Sequence, residues 1–135
     1  MSQKYKTAIL CVDDENVVLQ SLKMQLNRFF GNKYLLEFAH KGQDALDLLD
    51  ELVDEGVIVL VIISDWLMPG MKGDEFLSIV NQSFPDAAKV MLTGHASEQA
   101  IKNAREKAKL FAYIKKPWNA NELLSIIEKA LATVS

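Results

Sequence analysis

Five side chains that could do chemistry sit at one kind of place in this sequence, just past a short apolar run. Asp13 and Asp14 follow Ala8-Ile9-Leu10-Cys11-Val12. Asp65 ends the longest such run, Val57 to Ile63 and then Ser64. Thr93 follows Lys89-Val90-Met91-Leu92, and Lys116 comes just after Phe111-Ala112-Tyr113-Ile114. Brought together, three carboxylates repel: two unit charges 4 Å apart cost roughly 4 kcal/mol even at an effective dielectric of ~20. Such a cluster implies a bound cation or a shared proton. All-oxygen donors with room for water suit Mg²⁺, and the backbone carbonyl of Leu67 is in reach to add one more oxygen. Ca²⁺ is disfavoured because no EF-hand-like loop is present. A carboxylate beside Mg²⁺ can attack phosphorus and form an aspartyl phosphate, with an ammonium and a hydroxyl steadying the transferring group. Lys116 and Thr93 supply those two groups. Taken singly, each residue has a plainer role: Asp65 before Pro69-Gly70 as a turn former, Asp13-Asp14 as a helix cap, Thr93 before Gly94 as a turn, Lys116 before Pro117 as a solvated loop. Their recurrence at the ends of four of the five apolar runs makes coincidence a poor account.

The elements that must position them alternate. Seven unbroken, mostly β-branched residues from Val57 read as a strand buried on both faces. The runs at Ala8–Val12, 34–39, 89–92 and 111–114 read as four more strands. Between and after them lie helical patterns: Val18, Leu22, Leu26 and Phe29, stopped at Gly31-Asn32; Ala45, Leu48, Leu49 and Leu52 after Gly42; Phe76, Ile79 and Val80 after Gly73-Asp74-Glu75, broken at Pro85; Ala100, Ile101, Ala104 and Ala108; and Leu123, Ile127, Ala130 and Leu131. Ser97 is placed to cap the fourth helix, and Asn119 with Glu122 forms a capping-box pattern before the fifth. Five strand–helix alternations with short connections predict a doubly wound α/β fold, a parallel sheet covered by helices on both faces. Right-handed crossovers then bring the strand carboxyl ends to one edge, where open sheets bind ligands. The second strand carries no comparable polar group, which suits an edge position away from the site.

With 135 residues, 50% of them hydrophobic, the chain fits one globular domain over 1–135. A net charge of −3 argues against a nucleic-acid surface. Cys11 is the one cysteine and sits in an apolar run, so no internal disulfide forms. Residues 1–6 show no cleavage-site pattern, and no apolar run nears the ~20 residues that span a bilayer. These features point to a cytoplasmic chain that contacts neither nucleic acid nor membrane. No Gly-rich run ending in Lys-Ser or Lys-Thr is present, which disfavours a P-loop. His40 and His95 fall after different strands without a cysteine partner, so a zinc site is not expected. Trp66 and Trp118 read as packing residues beside the motifs.

Asp13-Asp14, Asp65 with Met68-Pro69-Gly70 and Gly73, Thr93-Gly94, and Lys116-Pro117 together resemble the motif set of the receiver domain of bacterial two-component response regulators. The resemblance runs from about Lys6 to Leu131, and the set in order and spacing is highly specific. It implies a flavodoxin-like, five-stranded sheet of order 2-1-3-4-5 flanked by five helices. It implies that Asp65 is the phosphate acceptor, that Asp13 and Asp14 hold Mg²⁺ with Asp65 and the Leu67 carbonyl, and that Thr93 and Lys116 contact the phosphoryl oxygens. Tyr113 takes the aromatic switch position, and Pro117 a site where a cis bond is common. Lys115 falls out of register with the motif and reads as a solvated neighbour. Lys72 stands where an acidic or small polar residue is more usual, and Gly94 where alanine is frequent. Leu67 and His95 occupy positions that tune phosphate lifetime.

The resemblance further implies a signalling switch that catalyses only its own phosphorylation and dephosphorylation. Its donor is a sensor histidine kinase or a histidine phosphotransfer protein. Its output face is the fourth helix, fifth strand and fifth helix, used for homodimerisation or for docking a downstream target, or linked to an output domain beyond this sequence. The alternative is a pseudo-receiver, a binding module with the fold but not the chemistry. Intact Asp13, Asp14, Asp65, Thr93 and Lys116 favour the switch.

Overall fold

The computed structural model describes residues 6–94 and 96–134. Expectations for His95 and for residues 1–5 lie outside the described residues. Ten elements alternate along the chain: β1 Thr7–Val12, α1 Asn16–Phe30, β2 Leu35–Ala39, α2 Gly42–Asp54, β3 Ile58–Asp65, α3 Gly73–Ser83, β4 Ala88–Thr93, α4 Glu98–Ala108, β5 Ala112–Lys115 and α5 Ala120–Val134. All four pairings are parallel and the sheet order is β2-β1-β3-β4-β5. The doubly wound α/β architecture read from the alternation is therefore the observed one, and β2 is an edge strand as its lack of a site residue implied.

Side-chain alternation along the strands splits the core in two. Leu10, Val12, Ile62 and Met91 face α2, α3 and α4, where Leu49, Phe76, Leu77 and Ala104 meet them. Ile9, Cys11, Ile63 and Leu92 face α1 and α5 on the other side, against Leu22, Leu26, Leu123 and Ile127. The inner strands are fully covered over most of their length, which is why they read as unbroken apolar runs. At the start of β3 the cover ends: Ile58 is 62% exposed and Leu60 half-buried, so burial on both faces holds only from Val61 onward.

Two helix faces also differ from the spacing argument. In α3 the buried residues are Phe76, Leu77 and Val80, while Ile79 is exposed. Three apolar residues at i, i+1 and i+4 define the face, and Ile79 falls off it. In α1, Leu19 joins Leu22 and Leu26 in the core, with Val18 and Phe29 at its margin. Ser97 caps α4 as expected, its Oγ accepting from the Ala100 N–H at 3.1 Å. Asn119 forms half of the anticipated capping box: its Oδ1 accepts from the N–H groups of Asn121 and Glu122, at 2.7 and 3.4 Å. Among the described residues, no helix is long and apolar enough to cross a membrane.

Candidate functional site

Parallel pairing puts the carboxyl ends of β1, β3, β4 and β5 side by side. Val12 aligns with Ser64, Asp65 with Leu92, and Thr93 with Lys115. Asp13, Asp14, Asp65, Thr93 and Lys116 thus reach one edge from four strands. Asp65 is held there by the turn behind it. The Gly73 N–H donates to the Trp66 carbonyl at 2.7 Å, drawing the start of α3 against β3. Only glycine fits that approach, since a Cβ at position 73 would lie 2.1 Å from the Asp65 carbonyl oxygen.

The carboxylates are unequal in exposure. Asp13 and Asp65 are buried, at 1% and 6%, while Asp14 is exposed. One oxygen from each can lie within 4.8 Å of the others. The Lys116 Nζ donates to Asp13 Oδ2 at 2.7 Å, lies 3.4 Å from Asp65 Oδ1 and 3.9 Å from Glu15 Oε1. Burial pushes the Asp65 carboxyl above its ordinary pKa, and the charge of Asp13 adds to this; Lys116 and the Trp66 backbone pull it part of the way back. Burial works against the Lys116 ammonium, yet its bond to Asp13 and the charges of Asp13 and Asp65 outweigh it, so its pKa is raised. The lysine acts as a resident cation for a cluster whose charge it only partly balances.

Three aspartates against one ammonium leave two negative charges at the site. That remainder, with all-oxygen donors and an exposed Asp14, fits a small divalent cation such as Mg²⁺. An open cleft of about 440 Å³ lies over the cluster, lined by Asp14, Glu15, Asp65, Leu67, Pro69, Gly94 and Lys116. It is polar at its floor, and Leu67 is half exposed at its rim.

Thr93 is buried, and its Oγ1 accepts from the Ala96 N–H at 3.2 Å. Tyr113 points outward and is 41% exposed. Between them runs a second cleft of about 290 Å³, lined also by Ile101 and Lys115. The Lys116–Pro117 peptide bond is cis. Lys115 is exposed, in keeping with a solvated role. Trp118 donates its Nε1–H to Gln25 Oε1 at 2.8 Å, tying the loop after β5 to α1. Trp66 lies under the Lys72 ammonium, 5.2 Å from the ring centroid, so the unusual lysine at 72 finds a partner.

One participant escaped the sequence reading. Glu15 donates its backbone N–H to Asp13 Oδ1 at 2.9 Å and brings its own carboxylate toward Lys116. The Asp-Asp-Glu run was the signal, since an aspartate two residues before a helix N-cap commonly accepts from the N–H of that residue.

Similarity to known proteins agrees with this geometry. The family model described as "Response regulator receiver domain" matches residues 9–128. A CheY homolog of Campylobacter jejuni, described as a chemotaxis protein, is 33% identical over 129 residues, covering 94% of each chain. The hydrogenase transcriptional regulatory protein HoxA of Cupriavidus necator is 29% identical over 131 residues, 97% of this chain but 25% of HoxA, so the chain spans about a quarter of that relative. Among solved structures, the signal receiver domain of an HD domain-containing protein from Pseudomonas fluorescens superposes with a TM-score of 0.83 at 30% identity, covering 98% of this chain and 91% of that one. Four strand ends, one acidic cluster and a family match over most of the sequence lead to one assignment: this chain belongs to the response regulator receiver domain family.

Proposed function

We propose that the chain is a phospho-accepting switch in a two-component phosphorelay, with Asp65 as acceptor and a phosphohistidine of a sensor kinase or histidine phosphotransfer protein as donor. The observation that carries this reading is the position of Lys116, its ammonium 2.7 Å from Asp13 and 3.4 Å from Asp65 at the floor of an open cleft. An Asp65 carboxylate oxygen attacks phosphorus, the P–N bond to the donor imidazole breaks, and the imidazole leaves with a proton. Mg²⁺ held by Asp13, Asp14, Asp65 and the Leu67 carbonyl would neutralise charge on the phosphoryl group during transfer. Lys116 is released from Asp65 to pair with the new phosphoryl oxygens. Thr93 turns its hydroxyl toward them and gives up the Ala96 N–H, and Tyr113 moves into the space beside Thr93. The α4–β5–α5 face then changes shape for a downstream partner, a linked output domain or a second copy. Contact with nucleic acid is not part of the proposal, and a cytoplasmic location follows from the proposed donors.

Hydrolysis requires water to attack the same phosphorus. Leu67 at the cleft rim offers no hydrogen bond to orient that water, which lengthens the phosphoryl lifetime. Leu67→Asn should therefore dephosphorylate faster, and an unchanged rate would remove Leu67 from this role.

The deciding experiment is intact-protein mass after incubation with Mg²⁺ and acetyl phosphate, beside Asp65→Asn. One added phosphoryl group, absent in the variant and without Mg²⁺, is the expected result. No adduct on rapid sampling with several small donors would leave the pseudo-receiver, a binding module without phosphorylation.

A further inference from the structure

Helices α2, α3 and α4 lie on one face of the sheet with α3 in the middle, and the two outer helices carry opposite charge. On α2, Asp44, Asp47, Asp50, Glu51 and Asp54 are all exposed, Glu55 follows at the C-cap, and the helix holds no Lys or Arg. Among the described residues every ion pair belongs to Lys116, so none of these carboxylates is paired. Asp47 takes one bond from the Gln43 amide at 3.1 Å. Asp54 and Glu55 moreover sit at the negative end of the helix dipole with no cation in the last turn. Crowding extends to β2, where burial, then Glu55 and Glu51, raise the Glu37 carboxyl above its ordinary range. An isolated domain gains nothing from this arrangement.

Helix α4 has the reverse balance. Lys102, Arg105, Lys107 and the C-cap Lys109 are exposed, against Glu98 and Glu106, and the cations gather toward its C-terminal half, as the acids of α2 do. Between the two helices, α3 presents Ile79, 41% exposed, beside a groove of about 300 Å³ whose rim carries Asp47 and Asp50.

We propose that this face pairs with the same face of a second copy, about a twofold axis parallel to α3, so that α2 of each copy lies against α4 of the other and the two Ile79 side chains meet near the axis. A twofold perpendicular to the helices would instead stack acid on acid, so the charges select one of the two symmetric arrangements. Both ends of the contact are then satisfied at once, which closes the assembly at a dimer. Helices of 11–13 residues, packed about 8–10 Å apart, present a face that would bury on the order of 1,000 Å² in such a pair, the lower limit for a specific interface. The dimer is accordingly weak and salt-sensitive. It differs from pairing through α4–β5–α5 and does not rest on phosphorylation.

Sedimentation of the whole chain at low salt tests this. The unmodified protein should dimerise at concentrations on the order of 100 µM, and raising the salt to about 0.5 M should weaken the dimer about tenfold or more. Asp50→Lys with Asp54→Lys should weaken it by at least about tenfold, and Lys102→Glu with Arg105→Glu should do the same. In an equimolar mixture of the two variants each reversed helix again faces its complement, so association should return to near the unmodified level and stop at the dimer. Restoration would also establish that both variants are folded. A monomer at low salt, a dimer indifferent to reversal on α2, a mixture that stays monomeric, or a mass growing past the dimer would each overturn the proposal.

Discussion

The sheet holds a lysine near each of its ends, one half-buried and one buried, and the two are handled in opposite ways. Lys116, near the carboxyl ends of the strands, is ringed by carboxylates, and their pull raises its pKa. Lys89, near the amino end of β4, is 1% exposed and has only neutral partners: its Nζ donates to the Ala87 and Pro85 carbonyls at 2.8 and 3.3 Å. Burial, then the charge of Lys109, lowers its pKa, with Asp86 opposing. The clefts at the two ends differ likewise. Above Lys116 the opening is lined by ionisable groups, whereas the one between the α2–β3 and α3–β4 turns is lined mostly by Val53, Val57, Val59, Phe84 and other uncharged residues. A half-buried charge among opposite charges, open to a cleft, is a place for reaction, while a buried charge among carbonyls pins a turn. Substitutions should therefore act on phosphoryl transfer at one end and on stability alone at the other.

Among changes that leave Asp65 in place, the largest effect should come from Lys116→Met. Removing one charged donor from a transition state of this kind typically costs about 10²–10³ in rate, and the acetyl phosphate reaction should slow by that much. Without metal the same change leaves Asp13 and Asp65 buried and unbalanced, so the melting temperature should fall, and Mg²⁺ should restore much of it. A rate within a few-fold of the unmodified chain would erase the functional half of the contrast. Gly73→Ala comes next. Its Cβ would strike the Asp65 carbonyl oxygen at 2.1 Å and Trp66 Cα at 2.8 Å, both backbone atoms. Relief requires moving Asp65, and we expect a loss of about 2–4 kcal/mol in denaturant unfolding with slower phosphorylation. Gly94→Ala is the control at the same end. A Cβ there meets nothing closer than 3.6 Å, so a change below about 0.5 kcal/mol is expected.

Asp65→Asn should abolish the adduct and yet stabilise the metal-free chain. An acid whose pKa is raised on folding contributes stability that is complete below its unfolded pKa and lost as pH rises through the folded value. At pH 7 the ionised Asp65 is thus a net cost, imposed by burial and by Asp13. The amide removes that cost, and the melting temperature in chelator should rise by about 2–4 °C. Mg²⁺ should narrow the gap by stabilising only the chain that keeps all three carboxylates. A lower melting temperature for the variant without metal would mean that the bond from Lys116 outweighs the repulsion.

Much of this was legible before any coordinates because the chain states it twice. Apolar runs of strand length alternate with helical spacings, and a reactive residue closes four of the five runs. Periodicity then fails where it is underdetermined. In α3, Phe76, Leu77, Ile79 and Val80 admit two adjacent faces, and only packing against the neighbouring helices and the sheet decides that Leu77 goes in and Ile79 out. Glu15 was overlooked because its contribution is partly through a backbone N–H, which no residue type announces. The complete burial of Lys89 was invisible for a related reason. Its partners are the carbonyls of Pro85 and Ala87, and carbonyls at a turn leave no trace in a sequence.

Lys89, control aside, gives a small effect and the sharpest test of the contrast. A base whose pKa is lowered on folding favours the folded state above its unfolded pKa, and that stability is lost as pH falls through the lowered value. Near neutrality the ammonium is therefore buried at full cost. Lys89→Met keeps the length of the side chain without the charge, so its melting temperature at pH 7 should exceed that of the unmodified chain by about 1–3 °C. Toward pH 10 the lysine sheds its proton at little cost but still donates to the two carbonyls, which methionine cannot. The gap should then close or change sign, while the rate of phosphorylation at Asp65 stays within about twofold throughout. A gap that does not change with pH would mean that the charge is not what the fold opposes. A slowed phosphorylation would mean that the two ends of the sheet are coupled after all.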